Sequence, residues 1–115
     1  MKDKLLAFIT EHPRCSFHEI ERFFEENEYD YKGEYDIGPV GYENISCWYG
    51  WTETACRLIL DLLENGQVYL EIADEGELRR FPELWTYPKA KSLRSYKSER
   101  WLPVVILSAR QDSPD

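Results

Sequence analysis

The chain has 115 residues, 43% of them hydrophobic and 15% aromatic, with a formal net charge of −8. That length suits one domain closing one modest core without metal or disulfide. The charge argues against non-specific coating of nucleic acid, which needs clustered Lys and Arg, and no run of 18 apolar residues spans a membrane.

Residues 2–11, "KDKLLAFITE", place Leu5, Leu6, Phe8 and Ile9 on one side of a short amphipathic helix. His12-Pro13 ends it, because the residue before proline is pushed out of the α region. "SFHE" at 16–19 matches a capping box, in which Ser16 and Glu19 satisfy each other's backbone amides. A second helix is predicted through about Asn27, with Phe17, Ile20, Phe23 and Phe24 inward. Glu19, Glu21, Arg22, Glu25 and Glu26 are expected to face outward. About four residues separate the two helices, the short connection of a helix-turn-helix.

Residues 28–50 show neither helical nor sustained strand periodicity, and four of the six glycines fall there. They read as a long loop between helices, and such loops inside a compact domain are usually functional. A third helix follows, capped by Thr52 and closed at Asn65-Gly66 through a left-handed residue. Its exposed face is expected to hold Glu53, Thr54, Arg57, Asp61 and Glu64, net −2. A recognition helix in the major groove needs donors for purine edges and no surplus of carboxylates. This one is poorly suited.

Gln67–Ala73 alternates, with Val68, Leu70 and Ile72 set against Gln67, Tyr69 and Glu71, and so predicts a strand with one buried face. "ADEGE" reads as a turn. "WLPVVILS" at 101–108 predicts another strand, with Pro103 putting it at an edge or limiting its early pairing. The basic stretch between them could contain a third strand or a one-turn helix at Pro82–Trp85, and "QDSPD" reads as a frayed tail.

Residues 4–24, "KLLAFITEHPRCSFHEIERFF", resemble the opening of the winged-helix family. "LILDLLENGQVYLEI" at 58–72 resembles that family's third helix running into its first wing strand. The resemblance implies an α+β domain over residues 1–110: three helices, a long loop between helices 2 and 3, and a small antiparallel sheet as the wing. It implies no activity, since such domains read DNA, bind RNA or dock proteins. The link between helices 2 and 3 and the segment between the wing strands are longer than the family's pattern, so no DNA contact is carried over to the third helix.

Cys15, Cys47 and Cys56 are odd in number and lack a CxxC pair, which points to a reducing cytoplasm. The N-terminus lacks the cleavage pattern of a signal peptide. His12, Cys15 and His18 at spacings of three, completed by Cys47 or Cys56, could outline a zinc site. The simpler account makes them a helix end, a small apolar residue and a first-turn residue. "EYDYKGEYD" lacks the spacing of a calcium loop. No catalytic, P-loop or dinucleotide fingerprint occurs, so neither catalysis nor a cofactor is expected.

Two constellations remain. Tyr29, Asp30, Tyr31, Glu34, Tyr35, Asp36, Trp48, Tyr49 and Trp51 join rings that bury large area to carboxylates that steer a basic partner. The alternative is that these rings hold the long loop down on the domain. The second constellation follows from charge asymmetry: residues 1–78 carry net −12, residues 79–100 net +5 and residues 101–115 net −1. Arg79, Arg80, Lys89, Lys91, Arg94, Lys97 and Arg100, interleaved with Trp85, Tyr87 and Tyr96, could meet phosphates, or could balance the acidic body of the same or a second copy. The favoured expectation is a protein-interaction or regulatory module using the acidic, Tyr/Trp-rich loop. A DNA-binding regulator using residues 79–100 and an acidic inhibitor of a basic toxin or nuclease are the alternatives. No membrane is expected, and a homodimer is left open.

Overall fold

The computed structural model describes residues 1–38, 42–78, 90 and 94–109. It is a mixed α+β structure. Helix α1 (Lys2–Glu11) buries Leu5 and Ile9. Helix α2 (Phe17–Glu26) begins at Ser16, whose Oγ accepts from the Glu19 amide while Glu19 Oε1 accepts from the Ser16 amide. Phe17, Ile20, Phe23 and Phe24 are buried, as their spacing predicts. Helix α3 (Glu53–Glu64) is capped by Thr52, whose side chain accepts from the Ala55 amide. It is left through Gly66 at φ 70°.

The connection between α1 and α2 does more than turn the chain. Cys15 forms an antiparallel bridge with Ile106, the two exchanging both backbone hydrogen bonds at 3.2 and 2.8 Å. Arg14 enters this link in the left-handed region, at φ 58°. Its guanidinium forks onto Glu77 at 2.7 and 2.9 Å and also reaches Glu71. Those hydrogen bonds, Glu77 first, push its pKa still higher than usual.

Strand β6 (Val104–Ser108) lies between that link and β4 (Val68–Ile72), with which it pairs antiparallel from Val68–Ser108 to Ile72–Val104. All five β6 residues are buried. Val104 and Ile106 join the main core, and Val105 and Leu107 a smaller cluster with Ala73. Of the two effects expected of Pro103, the limit on early pairing holds and the edge position does not: the ladder begins at Val104, just after the proline, so its missing N–H breaks no β4–β6 hydrogen bond. β4 also departs from strict alternation. Val68 is buried, but Ile72, on the face expected to be buried, is 51% exposed. "ADEGE" is a single helical turn, α4 (Glu75–Leu78), rather than a plain turn. Asp74 and Glu77 cap it reciprocally, each carboxylate accepting from the other's amide at 2.8 and 2.9 Å.

The largest correction concerns the long loop expected between the second and third helices. It contains β1 (Lys32–Ile37), β2 (Ile45–Ser46) and β3 (Trp48–Trp51). β1 and β3 form an irregular antiparallel hairpin, with register shifts between Lys32 and Tyr35 and between Tyr35 and Asp36. Such bulges erase the period of two that would have announced the strands. β2 pairs in parallel with β5 (Arg100–Trp101), which ties the hairpin's far end to the C-terminal part of the chain.

Candidate functional site

Burial divides the hairpin's aromatic constellation into an inner and an outer set. In the inner set Trp51 has no exposure, and Trp48 and Tyr31 are almost as deeply buried. The Trp51 ring meets Phe17 and Phe24 of α2 edge-on, at centroid distances of 5.5 and 5.2 Å, and Tyr31 at 6.4 Å. Trp48 stacks on Phe17 at 6.0 Å, and Tyr29, half-buried, lies 4.9 Å from Phe24. Tyr31, Trp48 and Trp51 are core residues here, not contact surface. Apolar ring area wins when α2 offers Phe17 and Phe24, about two turns apart, on one face.

Two acids of α2 complete the joint. Glu21 Oε2 accepts from the indole N–H of Trp48 at 2.7 Å and of Trp51 at 2.9 Å. Glu25 Oε2 accepts from the Tyr31 hydroxyl at 2.6 Å. Burial first, then this hydrogen bond, raises the Tyr31 pKa. Sequence reasoning set Glu21 and Glu25 among the solvated acids of the helix. The partners of Glu21 lie 27 and 30 residues along the chain and that of Glu25 only six, just past the helix end; the Trp and Tyr content hinted that buried N–H and O–H groups would need acceptors.

The outer, solvent-exposed set is Tyr35, 54% exposed, and Tyr49, 48% exposed, with Asp30, Glu34 and Asp36 also open to solvent; the register puts Tyr35 opposite the buried Trp51. Asp36 and Tyr49 are opposite one another in the register. The Ser46 hydroxyl donates to Asp36 Oδ2 at 2.6 Å, fixing that carboxylate at the hairpin's rim. The site residues thus separate into a buried set and an exposed set.

The outward face of α3 carries Glu53, Thr54, Arg57 and Glu64 exposed, with Asp61 half-buried. Arg57 is engaged by Asp61 and Glu64, both at 2.9 Å. An anionic helix face therefore stands where the sequence predicts one, with its single base already paired.

Of the basic constellation, Arg79, Arg80, Lys89 and Lys91 lie outside the described residues, as does Pro82–Trp85. Arg94 and Lys97 are exposed, and Arg100 is half-buried on β5. Both arginines approach the Tyr96 ring.

Of the residues of the suggested zinc site, His18 has its Nδ1 buried without a hydrogen-bond partner among the described residues. His12 stacks on Phe8 at 4.1 Å, and its Nδ1 lies 2.8 Å from the Phe8 carbonyl. Cys15, Cys47 and Cys56 are free thiols in the core. Burial pushes the first two up to about 12 and Cys56 to about 11. No cluster of three or more His, Cys, Asp or Glu able to hold a metal ion occurs among the described residues. Nor, among them, is any helix long and apolar enough to cross a membrane. Comparison with protein-family models, with curated proteins and with solved structures finds no match to this chain.

Proposed function

We propose that this chain is a protein-interaction module built on a winged-helix scaffold, and that the outer face of the β1–β3 hairpin contacts a basic partner. The observation that carries the reading is the division of the hairpin's rings. Tyr31, Trp48 and Trp51 anchor it to α2, while Tyr35 and Tyr49 remain among the most exposed large side chains described. Exposed tyrosines on a rigid support offer contact area at little entropic cost. The flanking Asp30, Glu34 and Asp36 favour a cationic surface and hasten its encounter.

The scaffold part of the reading draws support from connectivity. The Cys15 bridge to β6, the β6–β4 pairing and the order α1, bridge, α2, α3, β4, β6 accord with a winged helix. The hairpin would then be an insertion between its second and third helices. The anionic face of α3 supports a partner other than a DNA major groove.

A photo-crosslinking residue tests the reading. Placed at position 35 or 49, it should link the chain to one basic protein in a lysate of the cells that make it. Placed at position 53 or 64 on α3, it should not. Equal crosslinking from both faces would remove the assignment.

A further inference from the structure

Tyr96 carries two cations on one ring. Arg94 Cζ lies 4.5 Å from the ring centroid and Arg100 Cζ 5.2 Å from it. A tyrosine face attracts a guanidinium, but two like charges gathered at one ring repel each other. Neither arginine forms an ion pair with an Asp or Glu among the described residues. Arg100 Nε–H, in addition, is buried and has no hydrogen-bond acceptor among the described residues. A buried donor left in that condition calls for an acceptor from elsewhere.

The backbone around these residues is held in place. Asn44 Nδ2 donates to the Tyr96 carbonyl at 2.7 Å, and the Asn44 carbonyl accepts from the Arg100 amide at 2.8 Å. The Tyr96 amide donates to the Glu43 carbonyl at 3.1 Å, and Ser95 Oγ accepts from the Glu43 amide at 3.0 Å. The turn before β2 therefore fixes the segment that presents both guanidiniums, with exposed Lys97 beside them.

We propose that Arg94 and Arg100, gathered on Tyr96, bind the phosphate group of a ligand. A guanidinium presents a planar fork of donors that matches phosphate oxygens. The anion relieves the repulsion between the two cations and gives Arg100 Nε–H its acceptor. This site lies on different residues from the hairpin face and does not rest on that reading. The phosphate belongs either to a free diphosphate or to a polynucleotide backbone, and one experiment separates them.

The full chain is titrated with inorganic pyrophosphate at constant ionic strength while the arginine Nε–H resonances are followed by NMR. A short oligothymidylate is titrated in parallel by fluorescence anisotropy. The Arg100 Nε–H signal should shift saturably. Arg94→Gln, at an exposed position, should keep the fold and weaken pyrophosphate binding about tenfold, the worth of one charge-assisted hydrogen bond. Arg100→Lys keeps the charge but loses the fork, and should weaken it too. Lys4→Gln removes equal charge from exposed α1 and should leave binding unchanged. An oligonucleotide held more tightly than pyrophosphate, and lost with Arg94→Gln, assigns the polynucleotide as the source; one held no more tightly assigns the free diphosphate. A wild-type chain without a saturable shift, or equal effects of Arg94→Gln and Lys4→Gln, would overturn the proposal.

Discussion

Trp51 donates its indole N–H to Glu21 Oε2 across 2.9 Å, joining a fully buried ring of the hairpin to the middle of α2. The same oxygen accepts from Trp48. One carboxylate thus meets two buried donors and locks the hairpin to the helix. Glu21→Ala removes the acceptor from both, and an unmet buried donor costs about 1–3 kcal/mol. The expected loss is about 2–4 kcal/mol, a fall in Tm of roughly 10 °C for a domain of this size. Glu21→Gln keeps an oxygen acceptor and should lose less. Thermal melts of the two variants check the order.

Gly33 and Gly76 should respond oppositely to alanine. A Cβ at Gly33 would sit 2.6 Å from the Trp51 carbonyl oxygen and 2.7 Å from the Thr52 backbone, so the hairpin must move to admit it. Overpacking of this kind costs about 1–3 kcal/mol. At Gly76, in α4, the nearest atom is Asp74 Oδ1 at 3.4 Å. There alanine should be neutral or stabilise by up to about 1 kcal/mol, because glycine loses more freedom in a helix. Urea unfolding of both variants gives the comparison.

The ion pairs of Arg14 tie the α1–α2 link to β4 and α4. Arg14→Ala removes the fork onto Glu77 and leaves a β-carbon in the left-handed backbone region. Because the side chain is about one-third exposed, solvent screens much of the Coulomb gain. The expected loss is about 1–2 kcal/mol and should shrink with added salt. Arg14→Gly, which accepts the positive φ, should lose less than Arg14→Ala.

Alkaline pH should unfold the chain through its thiols. Cys15 and Cys47 are pushed from the ordinary 9.0 up to about 12, and Cys56 to about 11, by burial. The folded state therefore holds protons that the unfolded state releases. Stability from this source is complete below pH 9 and lost as pH rises toward 12. Tyr31, also raised, acts with the same sign. Alkylation at pH 8 should be slow in the native protein and fast in urea, since the thiolate is the reactive form.

How much of this was legible in the sequence varies with the range of the interaction. Local chemistry was: the Ser16–Glu19 box, the Thr52 cap and the apolar spacing of α2 and α3 all depend on neighbours within one turn. The hairpin was not, because Gly33 and the bulges at Tyr35 break its alternation, and five of the six β1 residues face solvent. Nor was the inward reach of Glu21, or the hydrogen bond that the exposed Glu25 makes to Tyr31. An acid on a helix surface reads as solvated until a distant tryptophan or tyrosine is known to need it. The aromatic constellation was found as a group, and its division into anchors and rim emerged only from burial.

The exposed tyrosines and the buried tryptophans should respond differently to truncation. Tyr35→Ser with Tyr49→Ser should leave Tm within about 2 °C of the wild type, as for exposed positions, while abolishing capture of the crosslinked basic protein by the immobilised chain. Trp51→Ala, by contrast, should unfold the hairpin. A double variant that still captures the same partner, or that melts as low as Trp51→Ala, would contradict the assignment of the outer face as the contact surface.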